Sequence, residues 1–104
     1  MTTLKDRLLA ELTSIDGVED RPSPVAGGTA LFYLGKEFAH FHNDNELDLR
    51  LTKRVIQDEA LQHPSGSIHH PTRSFSSPWI EIRFTTANDI AQVARLVKLA
   101  VTKL

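Results

Sequence analysis

The chain has 104 residues, a formal net charge of −1 and 40% hydrophobic residues, which suits one globular domain with its own core. The near-neutral charge gives no electrostatic basis for binding nucleic acid or an acidic membrane. There is no cysteine, which excludes disulfides, thiol catalysis and thiolate metal sites. No apolar run approaches the roughly 18 residues of a membrane span and no secretory signal opens the chain, so we expect a cytoplasmic protein.

The first third of the chain predicts a helix and two strands. Residues 3–16 place leucine and isoleucine at helical spacing, with Thr3 as the expected N-cap. Residues 18–23 predict a short edge strand, because the prolines near its end cannot donate to a ladder. Residues 29–34 are apolar on both sides and predict a central strand, and Gly35 begins a tight turn into the next one.

The stretch KEFAHFHNDNELDLRLT, residues 36–52, predicts a β-hairpin. Its second arm alternates charged residues with three leucines, the period-two pattern of a strand with one buried face; they are Leu47, Leu49 and Leu51. The asparagine and aspartate residues between the arms, residues 43–45, are turn formers.

A loop of about three residues sets the expected hairpin register, because an odd loop keeps the apolar side chains of both arms on one face. The predicted neighbours are Phe41 with Leu49, Ala39 with Leu51, His42 with Asp48, and His40 with Arg50. This register predicts one shared polar face, which carries His40, His42, Asp48 and Arg50. Two residues fit it poorly, since Phe38 lies on the polar face and Glu37 on the apolar one.

The second half of the chain predicts a short helix, a long loop, a strand and a helix. Residues 52–61 predict the short helix, although its charges oppose the macrodipole. Residues 63–78 lack periodicity, and a loop of this length is typical of a lid, a binding loop or a disordered segment. Residues 79–85 predict a fifth strand. Thr86 is the expected N-cap of a last helix, whose core stripe spans residues 90–104.

This order of elements predicts a single α+β domain over residues 1–104. We expect a mainly antiparallel sheet of about five strands, with the N- and C-terminal helices packed on one face. The other face would carry the polar residues of the hairpin. It would line a cleft for a small-molecule ligand or meet a second subunit, so a homodimer is one possibility.

The polar face is the candidate site, and three kinds of chemistry are open for it. His40 and His42 should lie about 7 Å apart on one side of a strand, where two neutral imidazoles can share a metal ion, with His63 or Asp48 as a third ligand. Without a metal, His40, His42 and His63 would supply a general base and hydrogen-bond donors, oriented by Asp48 and Arg50. Structural hydrogen bonding is the third alternative.

Several ordered blocks of the sequence resemble the luciferase-like domain family. They are GKEFAHFH, ELDLRL, a later HP, and SSPWIEIRF, followed by a helix that contains aspartate. That family consists of small, mostly uncharacterised bacterial proteins related to the luciferase of luminous fungi. The resemblance extends from about Gly27 to the C-terminus. Seven residues of this chain match the blocks: Phe38, His40, His42, Asp48, Arg50, His63 and Trp79.

The resemblance implies a limited set of functions. The fungal enzyme oxidises a hydroxylated pyrone-type luciferin with molecular oxygen, without an established metal or organic cofactor, so no cofactor is implied here. The chain is short and lacks the N-terminal membrane segment of the fungal proteins, so we do not expect light emission. We expect a small-molecule pocket or a cofactor-free oxygenase-like enzyme. The alternatives are a non-catalytic binding or protein-interaction module, and a metal-binding protein that uses the HxH pair.

Overall fold

A computed structural model describes residues 3–22, 28–61 and 77–104. Its elements are α1 (Leu4–Leu12), β1 (Val18–Pro22), β2 (Thr29–Tyr33), β3 (Lys36–Asn43), β4 (Glu46–Arg50), α2 (Lys53–Asp58), β5 (Trp79–Arg83) and α3 (Ala87–Val101). The strands form one antiparallel sheet in the order β1-β2-β3-β4-β5. The predicted α+β fold is confirmed. His63 and most of the predicted 63–78 loop lie outside the described residues.

The two longer helices begin at reciprocal hydrogen bonds that the sequence predicted. The Thr3 hydroxyl accepts from the backbone N–H of Asp6, and the Asp6 carboxylate accepts from the backbone N–H of Thr3. Thr86 and Asp89 repeat this capping box at α3. There the backbone N–H groups of Thr85 and Thr86 lower the pKa of Asp89, because they stabilise the charged carboxylate.

The end of α1 differs from the prediction, because α1 stops at Leu12 and not near residue 16. The Thr13 hydroxyl donates to the carbonyl of Leu9 and the Ser14 hydroxyl to that of Glu11. Side chains of this kind offer the backbone an alternative to further helical hydrogen bonds.

None of the described helices is long and apolar enough to cross a membrane.

The helices α1 and α3 contact each other and cover one face of the sheet. Along β4, the apolar side chains alternate with polar ones and are fully buried, as the period-two pattern predicted. The buried core of sheet and helices includes Leu8, Leu12, Leu31, Ala39, Phe41, Leu47, Leu49, Ile80, Val93 and Val97. Burial of this apolar stripe is what fixes the helices on that face.

The hairpin register is shifted by two residues from the predicted one. Cα partners are Ala39 with Leu49, His40 with Asp48, and Phe41 with Leu47. The turn has two residues, Asp44 and Asn45, and not three, and the pairing shifts between Phe41 and Asn43. His42 is therefore an extra residue, a β-bulge, and it restores the alternation that an even loop would break. The predicted burial of Leu47, Leu49 and Leu51 is confirmed, but the predicted neighbours were wrong.

A second bulge lies at the other end of β3. Leu31 pairs with Ala39 and Phe32 with Glu37, so Phe38 is the extra residue. The bulge turns Phe38 into the core, where none of its surface is exposed, and brings Glu37 to the opposite face beside His40. The two residues that did not fit the predicted alternation are thus both explained by one inserted residue.

Val97 tests whether the helix stripe is core. Val97 is fully buried in α3, so Val97→Asp should destabilise the fold by about 3–5 kcal/mol, because it buries an unpaired charge. Ala91→Asp on the exposed side of the same helix should cost only about 0.5 kcal/mol, the difference in helix propensity. Urea denaturation of both variants measures the difference, and equal midpoints would show that the stripe is not core.

Candidate functional site

The candidate site lies on the sheet face opposite α1 and α3, which we call the polar face. Three neighbouring strands supply it, because His40 on β3 pairs with Asp48 on β4, and Asp48 pairs with Glu81 on β5. Glu46 lies two residues before Asp48 and shares its face, and the bulge brings His42 to the same place. Five side chains therefore converge, and we call them the His/carboxylate cluster: His40, His42, Glu46, Asp48 and Glu81.

Each imidazole of the cluster has a carboxylate at one ring nitrogen. His42 Nδ1 lies 3.1 Å from a carboxylate oxygen of Glu81. His40 Nε2 lies 3.5 Å from Asp48 Oδ2, and its other nitrogen, Nδ1, lies 3.9 Å from Glu37 Oε1. The two imidazole rings are 5.2 Å apart, centroid to centroid. The carboxylates thus fix how both rings are oriented on the face.

Two of these carboxylates are buried to a degree that is unusual for charged groups. Asp48 and Glu81 are each 1% exposed, and they are direct neighbours across β4 and β5. Moving a carboxylate out of water is costly unless positive charge and hydrogen-bond donors compensate it. Imidazolium groups or a bound cation can supply that charge. The cluster is therefore the candidate functional site of the described residues.

The ligand atoms of the cluster form two overlapping groups, each compact enough to surround one ion. In the first group, one atom from each of His40, His42 and Asp48 lies within 4.8 Å of the others. In the second group, the same holds for His42, Glu46 and Glu81. Donor bonds to a first-row cation are about 2.0–2.2 Å long, so neighbouring ligand atoms of one ion lie about 3.0–3.5 Å apart. Side-chain rotations that move the donor atoms by about an ångström would bring either group to that spacing.

An aromatic ring and two arginines lie beside the cluster. The Trp79 ring, half-buried, lies 5.6 Å from the His40 ring, and Trp79 pairs with the exposed Arg50. At the other end, Arg83 Nε lies 3.6 Å from Glu46 Oε1. The rim therefore offers one flat apolar surface and two positive charges next to a negatively charged centre.

The structure brings together three of the five predicted site residues, His40, His42 and Asp48. Arg50 lies one pair further along β4, opposite Trp79, and not beside His40 as the predicted register had it. The reason is that the turn contains only Asp44 and Asn45 and β4 begins at Glu46, so the pairing that follows the bulge at His42 lies two residues from the predicted one. His63 lies outside the described residues. A role in catalysis remains a prediction for all five.

Sequence reasoning missed two acidic members of the cluster, Glu81 and Glu46. Both stood on the polar side of a period-two pattern, so their face was predictable. What was missing was the neighbour relation, because β5 is separated from β4 by almost thirty residues and no sequence pattern specifies their register. The sequence signal was Glu81 itself, an acidic residue in the middle of β5, whose other side chains are mostly apolar or aromatic.

The fold and site define a small α+β domain with a buried histidine and carboxylate cluster on the sheet face opposite α1 and α3. The family model described as Luciferase domain matches residues 35–100. The match spans β3, β4, β5 and most of α3, and with them all five members of the cluster. The chain belongs to this family, which confirms the resemblance. No curated protein and no solved structure matches it significantly.

The contact between His42 and Glu81 predicts a single tautomer of this imidazole. A carboxylate can only accept, so His42 should carry its proton on Nδ1 and keep Nε2 free of hydrogen when neutral. Glu81→Gln should populate both tautomers, because an amide can either donate or accept. Long-range ¹H–¹⁵N NMR correlation spectra of the imidazole distinguish the two states. An Nε2–H tautomer in the unmutated protein would contradict the assignment.

Proposed function

We propose that this member of the Luciferase domain family is a metal-dependent enzyme that binds a first-row divalent cation at His40, His42 and Asp48. The observation that supports this proposal is the mutual distance of their donor atoms, all within 4.8 Å. Two neutral imidazoles and one carboxylate are a donor set that iron, zinc, copper and cobalt accept. This extends the predicted HxH pair by the third ligand, Asp48, that the sequence had suggested.

The surroundings of the three residues also suit a metal centre. Glu81 accepts from His42 and Glu37 lies near the far nitrogen of His40, which is the arrangement of carboxylates behind metal-bound histidines. Such partners fix the ring orientation and make the imidazole a stronger ligand. Two imidazoles with one buried carboxylate leave one positive charge on a divalent ion, which the nearby Glu81 carboxylate compensates.

Among the described residues this group offers three ligands, and that number favours catalysis over a purely structural role. Structural zinc sites are closed by four protein ligands, whereas catalytic sites keep open positions. Two histidines and one carboxylate on one side of an ion are also the ligand set of non-haem iron oxygenases. A bound ion with open positions would activate water, dioxygen or an oxygen atom of a substrate. The half-buried Trp79 beside His40 would give that substrate an apolar surface to lie on.

A metal-free enzyme is the second candidate, and the pair of His42 and Glu81 favours it. With Nδ1 held by Glu81 at 3.1 Å, His42 would be oriented to act as a general base toward an acidic small molecule. Asp48 would hold His40 in the same manner. This is the cofactor-free function expected from the sequence. It uses the same residues, so a direct measurement of metal binding separates the two candidates.

Metal binding is the test of the proposed function. Protein stripped with a chelator should bind Fe²⁺, Co²⁺ or Zn²⁺ with a Kd well below about 10 μM, and Asp48→Asn should weaken binding by at least about 100-fold. Asp44→Asn is the matched control, because Asp44 is an exposed turn residue of the same hairpin and should have no effect. Isothermal titration calorimetry measures the metal affinity of the unmutated protein and of both variants.

The opposite result is equally clear. If the unmutated protein binds none of the three ions more tightly than about 1 mM, the metal-dependent function is wrong. The metal-free pair of His42 and Glu81 then becomes the candidate to pursue. Binding that Asp48→Asn leaves unchanged would place the ion elsewhere on the protein.

A further inference from the structure

We infer that the cluster holds a second divalent cation, at His42, Glu46 and Glu81, beside the first. This inference rests on the proposed function, because it takes the first cation at His40, His42 and Asp48 as given. The second group of donors meets the same geometric criterion as the first, with all three ligand atoms within 4.8 Å of one another. It shares only His42 with the first group.

The two positions follow from how the donors are spread along β4. Asp48 and Glu46 lie on the same face two residues apart, which separates them by about 6.6 Å along the strand. His40 lies opposite Asp48, at the far end from Glu46. The two groups share only His42, so His40 and Asp48 belong to one position, and Glu46 and Glu81 to the other. His42 comes from the bulge and lies between them, close to both groups.

An imidazole can serve two ions because its two nitrogens lie on opposite edges of the ring. The nitrogen that carries hydrogen must first lose that proton, which passes to solvent, and the ring then bridges the two ions as an anion. Glu81 would become a direct ligand of the second ion. Its 3.1 Å distance from His42 Nδ1 is also a normal separation between two neighbouring ligands of one ion.

The charges of the cluster agree with two ions. Glu46, Asp48 and Glu81 carry three negative charges, and bridging by His42 adds a fourth. Two divalent cations balance these four charges. When one ion is bound and His42 is neutral, Arg83 supplies the remaining positive charge through its 3.6 Å contact with Glu46. Arg83 is 40% exposed at its side chain, so it can move away when the second ion enters.

Stoichiometry decides the inference. The full chain, stripped with a chelator and dialysed against Co²⁺, should retain about two equivalents of cobalt by elemental analysis. Glu46→Gln should retain about one, because it removes a ligand of the second group only. Asp44→Asn is the matched control: Asp44 is an exposed turn residue of the same hairpin and belongs to neither group, so this variant should still retain about two equivalents.

Arg83 provides a second measurement that does not depend on a loss of binding. Arg83→Gln should tighten the second Co²⁺ equivalent by about tenfold, because it removes the positive charge that competes for Glu46. Electron paramagnetic resonance of the fully loaded protein should show magnetic coupling between the two ions. Circular dichroism identifies any variant that does not fold, and the stoichiometry of the unmutated protein decides the question in that case.

The failures of the two proposals are distinguishable. About one equivalent in the unmutated protein, unchanged by Glu46→Gln, overturns the second site and leaves the proposed function intact. Absence of bound cobalt overturns both. Two equivalents that Glu46→Gln does not reduce would place the second ion outside the cluster and overturn the inference.

Discussion

Strand β3 must place core residues on one face of the sheet and polar residues on the other, although its sequence does not alternate regularly. The rest of the structure depends on how β3 does this. Strict alternation cannot place both Phe38 and Ala39 in the core while Glu37 and His40 stay on the other face. The two bulges, at Phe38 and at His42, each insert one residue and so correct the alternation. Without the first, Phe38 would be on the polar face. Without the second, the apolar side chains of one hairpin arm would lie on the polar face.

The same bulges concentrate the polar groups. In a regular strand, Glu37 and His40 would lie on opposite faces, because they are three residues apart. The face of His42 would then be set by the two-residue turn alone. In the observed strand, His40 has a carboxylate near each ring nitrogen and His42 lies against Glu81. Bulges are frequent next to active sites because they redirect a side chain without breaking the sheet. Here the device that completes the core also assembles the cluster.

The buried carboxylates give the cluster its chemical character. Asp48 and Glu81 lie side by side on adjacent strands, and almost none of their surface is exposed. Two like charges in such a place raise each other's cost, so positive charge next to them is strongly favoured. The imidazoles of His40 and His42 lie against these carboxylates, and the proposed divalent cation would supply further positive charge.

Membership of the Luciferase domain family does not specify which reaction the cluster supports, since one fold supports many reactions. The family match covers the whole cluster. The metal-dependent function and the metal-free one share four side chains, those of His40, His42, Asp48 and Glu81, and differ in a measurable property, the presence of bound metal. That difference makes the cluster a better starting point for assigning activity than the family name.

The sequence by itself determined which elements form and which way their side chains face. Helical spacing, capping threonines and the alternation along β4 are local patterns, and the core stripe, both capping boxes and the burial of the three hairpin leucines agreed with them. These features depend on residues a few positions apart, so the local sequence is enough to predict them.

Only the tertiary structure decided which polar residues meet. The observed and predicted hairpin registers differ by two residues, an even number that leaves every side chain on the same face, so facing alone could not choose between them. Glu81 joined the cluster through pairing between β4 and β5, strands that are far apart in the chain. Burial fixes whether a residue points in or out, whereas its neighbours across the sheet depend on register, which the packing of the whole core selects.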